Sequence, residues 1–285
     1  KLIEKLKDVP RLKCNQPDTV FVRTAKSGIK NSNPVTQMKL VPFNHKAHEN
    51  YNDTCRVCHH TNLNACVQCH TRQGTKEGNQ VTLEASMHRL NINTSCLGCH
   101  DLSQRDPKCA GCHNRIARTR PQDPGACQAC HMADVNRVAE SIQHAAEKDL
   151  AAMMLDSRIP VVHAFAESDI PENVEIKTLS NQYGPVKMPH RKIVQNLFGN
   201  INDNKLVRYF HRDKNTLCQG CHHHSPAAKK PPICASCHGR PFDERDPFKP
   251  GIKAAYHRQC MKCHEAMGIE KPVATNCVAC HQKKG

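Results

Sequence analysis

The chain contains no tryptophan, and only 4 Tyr and 7 Phe among its 285 residues. Its mean hydropathy is −0.66. A domain of this size normally buries a sizeable aliphatic and aromatic core, and the material for one is missing. No apolar run approaches the roughly 18 residues that would mark a membrane-spanning helix. There is no initiator Met and no signal-peptide pattern at Lys1, so the chain reads as mature or trimmed. The 18 Pro and 13 Gly fit a loop-rich fold. What the chain does have is 19 Cys and 20 His.

Eighteen of the 19 cysteines fall into nine copies of C-x-x-C-H. These are Cys55/Cys58/His59, Cys66/Cys69/His70, Cys96/Cys99/His100, Cys109/Cys112/His113 and Cys127/Cys130/His131. Then follow Cys218/Cys221/His222, Cys234/Cys237/His238, Cys260/Cys263/His264 and Cys277/Cys280/His281. C-x-x-C-H is the attachment signature of a c-type haem. Both thiols form thioethers to the porphyrin, and the adjacent His is brought to the iron as its proximal ligand. Structural zinc also uses C-x-x-C pairs, but it does not require a His after every second Cys. An odd number of cysteines cannot all pair in disulfides, and iron–sulfur runs end in Cys-Pro, which is absent here. Nine haem c groups are therefore expected, and they supply the apolar interior that the side chains lack. The chain without them should be largely unfolded, as in domains whose metal-site energy is folding energy.

The formal charge of +15 changes meaning once haem is counted. Eighteen propionates set against nine ferric porphyrin cores reduce it to about +6 oxidised and about −3 reduced. The basic excess is then mostly compensation for propionates. With stacking aromatics scarce, nucleic acid is not an expected partner. Lys229-Lys230 and Lys283-Lys284 are solvated runs that could steer an acidic partner. Haem is attached outside the cytoplasm, which places the protein in the periplasm.

Eleven His remain beyond the nine proximal ones, and a surplus of this size beside nine irons means sixth ligands. Met, the competing ligand, is scattered without register to the motifs. Bis-His iron is expected for most sites, and hence low potentials. The spare His expose a duplication. His45 and His48 precede the first motif and His60 follows it directly, with His88 ahead of the third. In the second half, His190 and His211 precede motif 218–222, His223 follows it directly, and His257 stands ahead of motif 260–264. His48 lies seven residues before Cys55, and His211 seven before Cys218.

The run Phe43-Asn44-His45-Lys46-Ala47-His48, followed by Cys55-Arg56-Val57-Cys58-His59-His60, resembles the type III tetrahaem cytochromes c of sulfate-reducing bacteria. Two such modules with one extra haem are similar to the nine-haem cytochromes and to the C-terminal part of the sixteen-haem, high-molecular-weight cytochromes. The resemblance covers roughly residues 35–283. It implies a mostly α and irregular fold of two class III modules with haems as the core. The implied division is an extension at 1–34, a first module at 35–120, an extra haem motif and connector at 121–189, and a second module at 190–285. It also implies iron pairs His45–His59, His60–His70, His48–His100 and His88–His113 in the first module. In the second it implies His190–His222, His223–His238, His211–His264 and His257–His281. Two departures stand out: all nine motifs have the short C-x-x-C spacing, and the H-x-x-H pair of His45/His48 has Ile193 in place of a second His after His190.

Motif 127–131 sits outside both modules on this alignment. Residues 134–155 have helical apolar spacing, with Asp134 able to cap and Pro160 beyond the end. Residues 156–189, crossed by prolines, read as an irregular connector. His144, His163 and His224 have no counterpart in the resemblance. His163 is the first candidate for the sixth position at His131, with His144, His190 or an open position as alternatives, and His224 reads as a solvated neighbour of His223. Cys14 reads as a surface thiol. The missing signal sequence would also suit a piece of a longer multihaem chain.

The expected function is electron transfer, since an iron closed on both faces by His leaves no place for substrate. The resemblance implies electrons received from hydrogenase, directly or through a small tetrahaem cytochrome, and delivered to a membrane-bound redox complex in sulfate respiration. The competing class is a multihaem reductase with one open haem. It would need acid–base and anion-binding groups around a vacant iron.

Overall fold

The computed structural model describes residues 16–22, 40–90, 92–114, 127–132, 146–158, 164–177, 183–273 and 275–284. Within them regular structure is short and mostly helical. Strands β1 (Thr19–Val22) and β2 (Val41–Asn44) precede helices α1 (His45–Glu49), α2 (Cys66–Cys69), α3 (Leu83–His88), α4 (Cys96–Gln104), α5 (Pro107–His113) and α6 (Glu147–Asp156). Strands β3 (Val174–Ile176) and β4 (Val186–Met188) follow, then α7 (His190–Asn202), α8 (Lys205–Phe210), α9 (Cys234–His238) and α10 (Ile252–Ala266).

Helices of one or two turns do not persist on propensity alone, and side-chain caps hold their starts here. Asn44 accepts from the Ala47 N–H at 2.8 Å ahead of α1, and Thr82 accepts from Ala85 at 3.2 Å ahead of α3. Asp106 accepts from Lys108 at 2.9 Å, with Pro107 in the first turn of α5. Asn204 accepts from Val207 at 3.1 Å ahead of α8. Each such cap stabilises its helix by about 1 kcal/mol.

The chain divides into two compact units, residues 1–103 with 119–159, and residues 104–118 with 160–285. This differs from the boundaries expected at 120 and 189. Motif 109–113 belongs with the second unit, and motif 127–131 with the first. A break drawn along the sequence cannot express this exchange.

In the first unit β1 and β2 pair antiparallel, with Thr19 opposite Asn44 and Val22 opposite Val41. Helix α6 packs across the pair. Phe21 and Ala151 are buried together, with Leu40, Leu150 and Met154 around them. Thr19 Oγ1 donates to the Lys148 carbonyl at 2.6 Å. The helix expected over 134–155 differs from what is observed. Ala146 is extended at φ −66°, ψ 139°, so α6 starts at Glu147. Residues 134–145 of that expectation lie outside the described residues.

In the second unit α10 is the organising helix, with α5 and α9 packed on it. A Cβ at Gly111 of α5 would come within 2.6 Å of Met267 Sδ and 2.7 Å of Cys263 Sγ, so the close crossing needs glycine. Helix α7 packs on α5 and α8. Phe198 and Ile201 on α7 are buried, and Phe198 meets Phe165 with ring centres 4.6 Å apart. The connector is not wholly irregular. Strands β3 and β4 pair antiparallel, with Val174 opposite Met188. Three-residue strands are too short for a period-2 pattern to show.

Only seven apolar residues are buried among those described: Phe21, Leu83, Ala110, Ala151, Phe198, Ile201 and Ile252. That is too little to hold a chain of this length. Several exposed apolar side chains stand in or beside the motifs, among them Leu63, Leu97, Ile233, Met261 and Val278. A flat apolar group bound at each motif would cover them. A chain made without haem attachment is therefore expected to show no cooperative thermal transition by circular dichroism; a sharp transition in the apo chain would contradict this.

Candidate metal centres

The motifs share one local turn. The His N–H donates to the first Cys carbonyl at 2.8 Å in motifs 55–59, 66–70, 218–222 and 277–281, and at 2.9 Å in motif 127–131. This turn brings the His back beside its own two sulfurs.

Opposite these histidines stand others. Ring centres are 6.2 Å apart for His45–His59, 5.8 Å for His60–His70 and 6.0 Å for His88–His131. In the second unit they are 5.8 Å for His113–His211, 6.5 Å for His190–His222, 5.9 Å for His223–His238 and 6.0 Å for His257–His281. A metal–imidazole bond is about 2 Å and the ring centre lies about 1 Å behind the nitrogen, so two imidazoles on opposite sides of one metal have centres about 6 Å apart. His100 lies beside His48; burial first, then His48, pushes its imidazole below the ordinary value. Burial acts likewise on His113, with His211 the second cause. A neutral imidazole is the ligand form.

Ring contacts between aromatic groups span similar distances, but the outer nitrogens decide the reading. His59 Nδ1 donates to the Asn64 carbonyl at 3.1 Å, His70 Nδ1 to Val81 at 3.0 Å, His222 Nδ1 to Pro232 at 2.9 Å and His238 Nδ1 to Pro250 at 2.6 Å. Among the opposing histidines, His48 Nδ1 donates to Asn44 at 2.7 Å and His211 Nδ1 to Val207 at 3.0 Å. A carbonyl can only accept, so each Nδ1 carries the proton and each Nε2 is a bare lone pair. Facing lone pairs repel unless a cation lies between them. Fixing the outer N–H on a carbonyl is how metal-ligating His is oriented.

Two implied pairings are corrected. His88 faces His131, not His113, and His211 faces His113, not His264. His163 was expected at His131; that place is taken by His88, and both His163 and His144 lie outside the described residues, as does Cys14. His224 has φ 56° and its ring lies 4.9 Å from that of His223, so it packs on a neighbour in its own turn. Among the described residues no imidazole faces His264. Lys229 is engaged with Asp169 at 2.5 Å, which weakens its reading as a free steering charge.

The sulfurs gather within each unit. Cys96 has Cys58, Cys66 and Cys130 as neighbours, and burial first, then those thiols, pushes it up to about 12. Cys221 has Cys112, Cys263, Cys260 and Cys234 around it and is likewise pushed up to about 12. Cys112 rises to about 11, by burial and then by Cys263. Such sulfurs tolerate no thiolate, whereas thioethers carry no charge.

Nine of the eighteen attachment cysteines are exposed: Cys55, Cys58, Cys66, Cys96, Cys221, Cys237, Cys260, Cys277 and Cys280. Cys237 lies in α9, and Cys280 follows the single 3-10 turn Cys277–Ala279. Neither belongs to the sulfur clusters around Cys96 and Cys221.

Among the described residues no group of three or more His, Cys, Asp or Glu converges on a metal-sized point. The zinc alternative therefore has no tetrahedral site there, and the donors fit haem, with sulfurs at the edge and imidazoles on the two faces.

No helix among the described residues is long and apolar enough to cross a membrane. The Class III cytochrome C family matches residues 20–131 and 185–284. The chain is 42% identical over 287 residues to the high-molecular-weight cytochrome c of Nitratidesulfovibrio vulgaris (strain Hildenborough), covering 98% of this chain and 52% of that protein. It is 36% identical over 269 residues to the nine-heme cytochrome c of Desulfovibrio desulfuricans, covering 86% and 80%. The crystal structure of the high-molecular-weight cytochrome c from Desulfovibrio vulgaris (Miyazaki F) superposes with a TM-score of 0.83 at 44% identity, over 98% of this chain and 55% of that one. The nine-haem cytochrome c structure from Desulfovibrio desulfuricans gives 0.81 at 32% identity, over 94% and 97%. The chain thus spans about half the length of its high-molecular-weight relatives. The duplicated motifs, the mostly helical and irregular fold and these likenesses agree: the chain belongs to the class III cytochrome c family.

Proposed function

We propose that this chain is a periplasmic electron carrier with nine haem c groups, each held between two imidazoles and poised at low potential. Seven histidine pairs about 6 Å apart, with their outer nitrogens turned away where the bonds are seen, carry this reading. Haem supplies one-electron chemistry when bound. The chain's histidines would hold the group from both faces and close them against substrate, and its sulfurs gather neighbouring motifs around Cys96 and Cys221. Bis-imidazole ligation, weaker at raising potential than a Met ligand, favours the low range.

The iron at His264 takes its sixth ligand from His163 in this reading. By the duplication His45 corresponds to His190 and His48 to Ile193, and Ile193 stands exposed on α7. The site matching His100 is His264, so its partner comes from elsewhere. Phe165, two residues from His163, is anchored on Phe198 in the same unit as His264. Residue 146, two from His144, belongs to the other unit.

Electrons are received from a periplasmic hydrogenase or a small tetrahaem cytochrome and passed to a membrane-bound redox complex in sulfate respiration. Resemblance to carriers of that kind supports this. Pyridine haemochrome analysis against protein mass is expected to return nine haems per chain, and eight or fewer in fully matured protein would overturn the count. If His264 instead has an open sixth position, the multihaem reductase reading gains the vacant iron it requires, with the acid–base and anion-binding groups still to be found.

A further inference from the structure

Two charged side chains in the first unit touch different haem sites. Glu49 Oε1 lies 2.6 Å from His45 Nδ1, with the two side chains only 19% and 24% exposed. That Nδ1 has no aligned hydrogen-bond partner, so Glu49 acts on it through its charge. The outer nitrogens of His48 and His70 are instead on neutral backbone carbonyls. In the duplicated half, the residue four after His190 is Val194, so no carboxylate can take this place. A carboxylate on the outer nitrogen raises the basicity of the ligand and favours the ferric charge.

At the other end is Arg158, only 7% exposed. Its guanidinium donates to the carbonyl of Ala129, which lies between Cys127 and Cys130, and sits 3.9 Å from Met132 Sδ. Guanidinium does not lose its charge in proteins. A fixed cation held in a low-dielectric surrounding disfavours the extra positive charge of ferric iron. Arg56, in the first motif, is exposed, and its charge is screened by solvent. Cys96, between Cys58, Cys66 and Cys130, places the third motif next to the other three.

We infer that the first unit has a built-in order of potentials, lowest at the haem on Cys55/Cys58 and highest at the haem on Cys127/Cys130, set by Glu49 and Arg158. An electron received by this unit then collects at His88/His131. With haem bound at both sites, the electron lost at the site held by His45 and His59 would be the one gained at the site held by His88 and His131, and no bond or proton would need to move. Glu49 and Arg158 are positioning residues, and the inference rests on the bis-imidazole reading above.

The test is a redox titration of the holoprotein followed by NMR, with haem methyl signals assigned to their motifs. In the wild type the Cys127/Cys130 haem is expected to be the highest of the four in this unit and the Cys55/Cys58 haem the lowest. Glu49→Gln is expected to raise the reduction equilibrium constant of the Cys55/Cys58 haem about tenfold, and Arg158→Gln to lower that of the Cys127/Cys130 haem about tenfold, or 59 mV for one electron. Arg158→Lys, which keeps the charge, should leave it near the wild-type value. Unmoved or oppositely moved potentials, or a different wild-type order, overturn the inference even if Arg158→Gln fails to fold. Fewer than nine haems, or non-imidazole ligation at these two sites, would instead overturn the reading beneath it, and the haem count and spin state detect that separately.

Discussion

Replacing His88 with Met is expected to raise the potential of the haem on Cys127/Cys130 and to leave the haem on Cys109/Cys112 unmoved. The His88 and His131 rings stand 6.0 Å apart, and His113 is faced by His211 at 5.8 Å. A thioether ligand in place of imidazole raises the potential, and a rise on the order of 0.1–0.2 V fits within the ~0.8 V span that axial ligands command. His211→Met should do the same to the Cys109/Cys112 haem alone. Potentials assigned by NMR to individual motifs decide the matter. A shift at Cys109/Cys112 in the His88 variant would restore the pairing implied by sequence resemblance and contradict the exchange of motifs between the two units.

The second large effect is expected at His264. His163→Ala should convert one iron per chain from low-spin to high-spin and let it bind cyanide quickly, with the haem count still nine. His144→Ala and His224→Ala should change neither. The grounds are that Ile193 stands where the duplicated pair had its second His, and that Phe165 anchors the neighbouring chain to the unit containing His264. If loss of low-spin iron follows removal of His144 or His224 instead, the ligand has been assigned to the wrong segment.

Much of the chemistry was legible because each motif is a local object. A Cys, two residues, a Cys and a His close one turn, and the His N–H returns to the first Cys carbonyl wherever that bond is seen. His60 and His223 were legible for the same reason: each directly follows a motif and meets the next one, His70 and His238, across a short loop. His45 and His257 followed from their place in the repeat. Spacing misled where the halves differ. His211 lies seven residues before Cys218, as His48 does before Cys55, but α7 and α8 are inserted between His190 and that motif. His211 ends α8 and meets His113, so the matching interval was a coincidence of the insertion. The exchange of motifs 109–113 and 127–131 was not legible, because it depends on which neighbours α5 packs against. Gly111, which permits the close crossing over Cys263 and Met267, looked like an ordinary filler inside its motif. Nor does the motif pattern say which sulfurs gather around Cys96 and Cys221 and which, like Cys237 and Cys280, do not. Glu49 could have been found from its i, i+4 relation to His45, which places the two on one helical face. Arg158 gave no such signal, since 26 residues separate it from Met132.

The most direct test of the account is low-temperature EPR of the fully oxidised holoprotein with quantitative spin integration, paired with its haem count. Closure of every iron by two imidazoles predicts nine low-spin ferric irons per chain, no high-spin signal, and no change on adding cyanide or nitrite. A high-spin signal integrating to one iron or more, and altered by those anions, would contradict it.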